Sequence, residues 1–175
     1  PPDYWPQQAE ATALLWRFLE AIRRENGGLP VGPMGEAAVV GAEMGWLAYG
    51  LDVAGYATLA LDARAGEQFG LGVYPIARYL RVQADPARLP LARGAFDWVV
   101  IQDGLPPYGD YEAQAAVFEQ GVHALRPGGG IVIMDRTLTE DRMIVIQRLF
   151  RANGLDPLPV PRRLTWRSRL LALRT

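Results

Sequence analysis

Apolar residues recur along this chain in two rhythms, and the switches between them mark out its elements. From Gln7 to Glu25 the rhythm is helical: Leu14, Leu15, Phe18, Leu19 and Ile22 share one stripe, with Glu10, Arg17, Arg24 and Glu25 mostly off it. Asn26-Gly27-Gly28 supplies the stop, and "LPVGPMG" serves as a loop into the first strand. Short apolar runs then predict strands at Glu36–Val40, Ala57–Leu61, Tyr79–Ala84, Phe96–Gln102 and Ile131–Met134. Between them lie helical segments. One follows Gly45 through Leu47 and Leu51 to about Ala54, where Gly55 stops it; a second, Tyr111–Leu125, is capped by Asp110. A third, Glu140–Ala152, is capped by Thr139 and ended by Asn153-Gly154. The tail holds two weaker strands, near Leu155–Val160 and Thr165–Leu173, with no helix between them, which predicts an antiparallel pair.

Strands that are apolar throughout and alternate with helices predict an α/β fold. The expected architecture is a doubly wound, three-layer αβα, Rossmann-like sheet, mostly parallel, with an antiparallel C-terminal hairpin strand. One domain accounts for residues 1–175: an N-terminal helix and linker over 1–36, a nucleotide-binding core over 37–135, and a helix with a strand pair over 136–175. The segment Ala63–Ile76 breaks the alternation. With Gly66, Gly70, Gly72 and Pro75 it reads as a loop lying over a ligand rather than as the helix a regular fold would place there.

Composition narrows the function classes. The formal net charge of −1 argues against nucleic-acid binding by bulk electrostatics. All 18 basic residues are arginine, from which no mechanism follows. The absence of cysteine removes thiol chemistry, thiolate metal sites and disulfides, and fits a cytoplasmic protein. No apolar run approaches the roughly 20 residues of a membrane span, and no charged-then-apolar leader opens the sequence. No metal site and no membrane partner are expected.

The candidate chemistry sits in "AAVVGAEMGWLAYGLDVAGYATLALD", Ala37–Asp62. A glycine turn between a strand and its helix lets the backbone approach a ligand, and the helix N-terminus favours anionic groups. An acidic residue ending the second strand, here Asp62, can accept both hydroxyls of a ribose; its distance from Gly41 is close to the ~20 residues of the dinucleotide fingerprint. A lone acidic residue at a strand end is also often a solvated cap. A nicotinamide or flavin site asks for glycine where this chain has Glu43 and Trp46, and a phosphate-binding loop asks for a lysine it lacks. A G-x-G-x-G pattern fits better, with Gly41 and Gly45 in place and Glu43 in the middle.

With "VVGAEMGWL", "LALD", "RVQADPARLPLARGAFDWVV" and "ALRPGGGIVIMD" in this order, the chain resembles the class I S-adenosylmethionine-dependent methyltransferases of the small bacterial type. The resemblance spans about Ala37 to Asp135. It implies S-adenosylmethionine as cofactor and S-adenosylhomocysteine as product. It also implies that the Gly41–Gly45 turn, with Ala42, Glu43 and the adjoining Trp46, runs beneath the methionine part. Asp62 would hold the ribose and Ala63 would lie near the adenine. Asp85 would accept from the adenine amine, with Ala84 and Pro86 against the ring; a plain turn cap is the other reading of Asp85. Gln102 and Asp103 would stand where the methyl group faces its acceptor. No residue declares itself a general base, although Asp103 and Asp135 end strands and His123 is the single histidine, read as structural or surface.

Three further features qualify this. Glu43 replaces a glycine, so its carboxylate either pairs with the cofactor's α-ammonium or blocks the pocket; Val39 stands where many members carry the acidic residue for that ammonium. Pro106-Pro107-Tyr108 is separated from Asp103 by Gly104 and Leu105, out of register with the N/D-P-P-Y clamp of amino-methylating nucleic-acid enzymes, and reads as a loop with an aromatic over the pocket. Arg162, Arg163, Arg167 and Arg169 read as a solvated strand face, with Arg163 and Arg167 in reach of a partner domain. The leading expectation is a methyltransferase acting on a small-molecule acceptor. The alternative is a non-catalytic, methyltransferase-like binding or scaffold module whose cofactor site Glu43 impairs.

Overall fold

A computed structural model describes residues 4–25, 34–64, 78–103, 110–135, 138–158 and 170–174. Strands β1 (Glu36–Val40), β2 (Ala57–Asp62), β3 (Leu80–Gln83), β4 (Phe96–Gln102), β5 (Leu125–Met134), β6 (Asp156–Pro157) and β7 (Leu170–Arg174) form one sheet in the order β3-β2-β1-β4-β5-β7-β6. β1 through β5 are parallel, and β7 runs antiparallel to both β5 and β6. Helices α1 (Tyr4–Glu25), α2 (Trp46–Val53), α3 (Tyr111–Ala124) and α4 (Glu140–Ala152) supply the outer layers.

Both faces of the sheet are buried, which is why its strands read as unbroken apolar runs. Alternation along β1 sorts the two cores. Ala37 and Val39 join Leu15, Phe18 and Leu19 of α1 and Leu47 and Leu51 of α2. Ala38 and Val40 join Val117 and Phe118 of α3 and Ile146 and Phe150 of α4. Phe118 and Phe150 meet edge to face at 4.8 Å, and each fully buried ring of this kind contributes about 1.5–3 kcal/mol by burial alone.

The helix starts are those the sequence announces. Asp110 Oδ1 accepts the Ala113 N–H at 3.1 Å, and Thr139 Oγ1 accepts the Arg142 N–H at 3.3 Å. Other bounds differ. α1 begins at Tyr4 rather than Gln7, and β3 is confined to Leu80–Gln83. β5 opens at Leu125, so the "RPGGG" stretch belongs to a strand instead of a loop. Phe96 pairs with Leu125 and pairing resumes at Trp98 with Gly130, so the intervening residues of β5 bulge. Gly129 sits against the Phe96 and Asp97 carbonyls, where a Cβ would lie 3.2 and 3.0 Å from their oxygens. The nearest oxygen, that of Arg126 at 2.9 Å, belongs to the chain's own turn, so the missing side chain serves both that turn and the close approach to β4. The loop "LPVGPMG" for the most part, residues 65–76 of the irregular stretch, Pro106–Tyr108 and the four C-terminal arginines lie outside the described residues.

Strand order reverses between β1 and β4, both of which carry their connections to opposite sides. In open α/β sheets, the carboxyl ends of the strands at such a point form a crevice.

Candidate functional site

A cleft of about 160 Å³ occupies that crevice. The ends of β1 and β2 provide Val40, Gly41, Leu61 and Asp62; the segments that follow provide Glu43, Ala63 and Arg64. Ala84, Pro86 and Leu89, after β3, form an apolar side, and Asp103 closes the end of β4.

Two lining residues, Glu43 (φ 50°) and Asp103 (φ 42°), are the described non-glycine residues with left-handed backbones. Each such conformation costs on the order of 1–3 kcal/mol and persists only where its surroundings enforce it. For Glu43 the enforcement is visible. Its N–H donates to Asp62 Oδ2 at 2.7 Å, and the Gly41 and Ala42 N–H groups both donate to the Leu61 carbonyl. The turn is thereby laced to the end of β2. Asp103 is tied through its N–H to the Met134 carbonyl at 2.9 Å.

Asp62 is 6% exposed, and its carboxylate is oriented by the main chain. Besides the Glu43 N–H on Oδ2, the Arg64 N–H donates to Oδ1 at 2.8 Å, and Arg64 Nε approaches the same oxygen at 3.2 Å. An ionised carboxylate offers about four acceptor positions, so the two main-chain bonds hold Asp62 in place without exhausting it. The Arg64 guanidinium also reaches Glu43 Oε1 at 3.7 Å and thus spans both acids. From the other side Gln8 of α1 donates through Nε2 to Glu43 Oε2 at 3.2 Å, and Gln8 Oε1 in turn accepts from Gln102 Nε2. Glu43 can only accept, so it fixes the direction of both amides and leaves Gln102 Oε1 buried without a partner.

Of the residues singled out in the sequence, Gly41, Glu43, Asp62, Ala63, Ala84, Pro86 and Asp103 line the cleft together. The rest have other places. Ala42 is buried in the core on the α1–α2 side. Gly45 (φ 81°) precedes α2, and a Cβ there would overlap the Tyr79 hydroxyl. Trp46 lies half-buried beside Tyr49. Gln102 joins Gln8 beneath α1. Asp85 is exposed and its Oδ1 caps the 3-10 turn Pro86–Arg88 by accepting the Ala87 N–H at 2.9 Å, the cap that its "ADP" context suggests. Asp135 is buried at the end of β5, and His123 is exposed in a separate groove between α3 and α4.

Sequence reasoning missed Arg64, Gln8 and Leu89. Arg64 carries a signal in hindsight, since a cation two residues after Asp62 can fold back on it. Gln8 does not, because its partners are 35 and 94 positions away.

Burial of Tyr79 pushes its hydroxyl pKa above 10.0; Arg81 works against this shift and Asp52 adds to it. Among the described residues, no cluster of three histidine or acidic side chains could hold a metal ion, and no helix is long and apolar enough to cross a membrane.

No protein-family model matches the sequence, and no curated protein matches it by sequence. Solved structures do match by shape. The Burkholderia thailandensis 1,6-didemethyltoxoflavin-N1-methyltransferase, crystallised with 1,6-didemethyltoxoflavin and S-adenosylhomocysteine, aligns with a TM-score of 0.67 over 99% of this chain and 81% of its own, at 16% identity. The antibiotic-resistance methyltransferase Kmr aligns at 0.61 over 83% and 89%, with 20% identity. The aminoglycoside resistance methyltransferase NpmB1 aligns at 0.59 over the same shares, with 18% identity. The chain has the fold of the class I S-adenosylmethionine-dependent methyltransferases.

Proposed function

We propose that the protein is an S-adenosylmethionine-dependent methyltransferase with a small-molecule acceptor. The observation that carries this reading is the cleft itself. It stands at the carboxyl ends of β1, β2 and β4, and the described non-glycine residues with left-handed backbones both line it.

The residues present fit the cofactor. Asp62 is buried, aimed by two main-chain N–H groups, and keeps acceptor positions for a ribose diol once Arg64 Nε yields or shares Oδ1. The apolar side of Ala84, Pro86 and Leu89, with Ala63 opposite, suits a flat purine ring. Gly41 brings bare backbone to the remaining length, with Glu43 beside it, and Asp103 at the end of β4 would stand at the acceptor side, whereas Gln102 is turned to Gln8 beneath α1. Bound there, S-adenosylmethionine supplies an electrophilic methyl group on a sulfonium, and S-adenosylhomocysteine is the product. The chain's own task is to hold and orient: displacement at a methyl group gains much of its rate from alignment of the two partners, so a dedicated base is not required. The formal net charge of −1 supports a small acceptor over a nucleic acid, and the toxoflavin-type neighbour shows the fold serving such an acceptor.

One observation favours a second reading, a non-catalytic module. Arg64 Nε already takes a position on Asp62 that a ribose hydroxyl needs, and Glu43 helps to hold that guanidinium. Calorimetric titration with S-adenosylhomocysteine separates the two. The enzyme reading expects saturable binding by the unmodified protein. Heat that appears only in Glu43→Gly, with none in the unmodified chain at millimolar ligand, establishes the module instead.

A further inference from the structure

Two walls of the cleft, the turn after β1 and the end of β4, are bridged by one side chain from a third element. Gln8 of α1 is buried; its Nε2 donates to Glu43 Oε2 at 3.2 Å, and its Oε1 accepts from Gln102 Nε2. Glu43 (φ 50°) lines the cleft itself, and Gln102 is the residue before Asp103 (φ 42°), which lines it too. One amide thus reaches, directly or through a single peptide unit, both of the described non-glycine residues with left-handed backbones. Such backbones persist only where the surroundings hold them.

Close packing one turn further along α1 fixes where that amide stands. The Thr12 methyl occupies the place a Cβ on Gly50 of α2 would take, and Leu15, Phe18 and Leu19 are buried with Leu47 and Leu51 of α2. This apolar contact docks α1 without help from the amides. The amides add a cost instead, because Gln102 is 2% exposed and its Oε1 has no hydrogen-bond partner. A buried acceptor left unpaired opposes folding, whereas two apolar side chains of the same shape carry no such penalty. What the amides supply, and apolar groups do not, is a set distance and direction between the groups they join.

Resting on the methyltransferase reading above, we propose that Gln8 is a positioning residue for the cofactor. It braces the Glu43 turn against the end of β4, so that the cleft has the spacing its ligand needs before the ligand arrives. A site held ready in this way spends less of its binding energy on ordering. α1 then belongs to the binding apparatus, although it contributes none of the described lining residues. The coupling is reciprocal: a ligand seated between the turn and β4 steadies α1 in return.

The test sets affinity against stability, with S-adenosylhomocysteine calorimetry and urea unfolding on the full chain, on Gln8→Met and on Gln8→Met/Gln102→Met. Methionine keeps the unbranched length of glutamine and removes its hydrogen bonds. Gln8→Met alone strands the Gln102 amide and should lower stability and affinity together. The double variant removes both amides, so its urea midpoint should return to that of the unmodified protein or exceed it. Its affinity should stay about three- to tenfold lower, the worth of one net hydrogen bond. Amide exchange around Gln8 should also slow when the unmodified protein binds the ligand, and not in the double variant. Affinity that returns with stability in the double variant, or that falls in neither, overturns the positioning role and leaves the methyltransferase reading standing. Failure of the unmodified protein to bind overturns both. Should Gln8→Met not fold, the double variant decides; should neither fold, α1 exchange indifferent to ligand in the unmodified protein overturns the proposal.

Discussion

At the scale of single residues, Gly45 is constrained twice, by a left-handed φ of 81° and by the Tyr79 hydroxyl, which stands where a Cβ would go. Gly45→Ala should therefore cost about 2 kcal/mol or more, from αL strain and overlap together, read as a lower denaturant midpoint. Asp62 was legible in the sequence because a strand end and a glycine turn about 20 residues earlier define its place. Arg64 and Gln8 were not, since their roles exist only where α1, the turn and β2 converge. Gly45 shows the same limit: its φ was implied by the turn, whereas the Tyr79 hydroxyl against it was not. Tyr79→Phe should be neutral or stabilising by about 1 kcal/mol, because that buried hydroxyl has no partner to lose. It should also change the alkaline limb. The folded-state pKa of Tyr79 lies above 10.0, so unfolded chains ionise first, and the stability it contributes is complete below that value and lost as pH rises through the folded one. Unfolding curves between pH 9 and 11 should show a shallower decline in Tyr79→Phe; an unchanged decline contradicts this assignment.

At the scale of elements, periodicity located the strands because burial on both faces leaves little ambiguity, as in β1 and β4, whose bounds match. It failed where glycine and proline chemistry points to a turn but a neighbouring strand provides partners. β5 is that case: Leu125 pairs with Phe96, residues 126–129 bulge, and pairing resumes at Gly130 opposite Trp98. Nor could it show how the segment after β3 is held. Gln120 of α3 does this, accepting the Leu89 N–H through Oε1 and bringing Nε2 to the carbonyls of Pro86 and Ala87 at 3.4 and 3.3 Å as well as Ala116. It thus anchors Pro86 and Leu89, which line the cleft. Gln120→Ala should weaken S-adenosylhomocysteine binding several-fold for a loss of about 1–2 kcal/mol in stability. Unaltered affinity in that variant would show that the segment keeps its position without the clamp.

At the scale of the molecule, the alternation of strands and helices was enough to predict the doubly wound sheet, and shape comparison places it among methyltransferase structures at 20% identity or less. Fold alone does not settle chemistry. What joins the two is the convergence of Asp62, the turn at Glu43 and the apolar segment after β3 on one cleft. Calorimetric titration of S-adenosylhomocysteine into the unmodified protein and into Asp62→Asn tests that convergence most directly. We predict saturable one-to-one binding by the first and an affinity lower by about 10- to 100-fold in the second, the worth of charge-assisted hydrogen bonds to a ribose. Absence of binding by the folded, unmodified protein at millimolar ligand, or equal affinity in Asp62→Asn, would contradict the account.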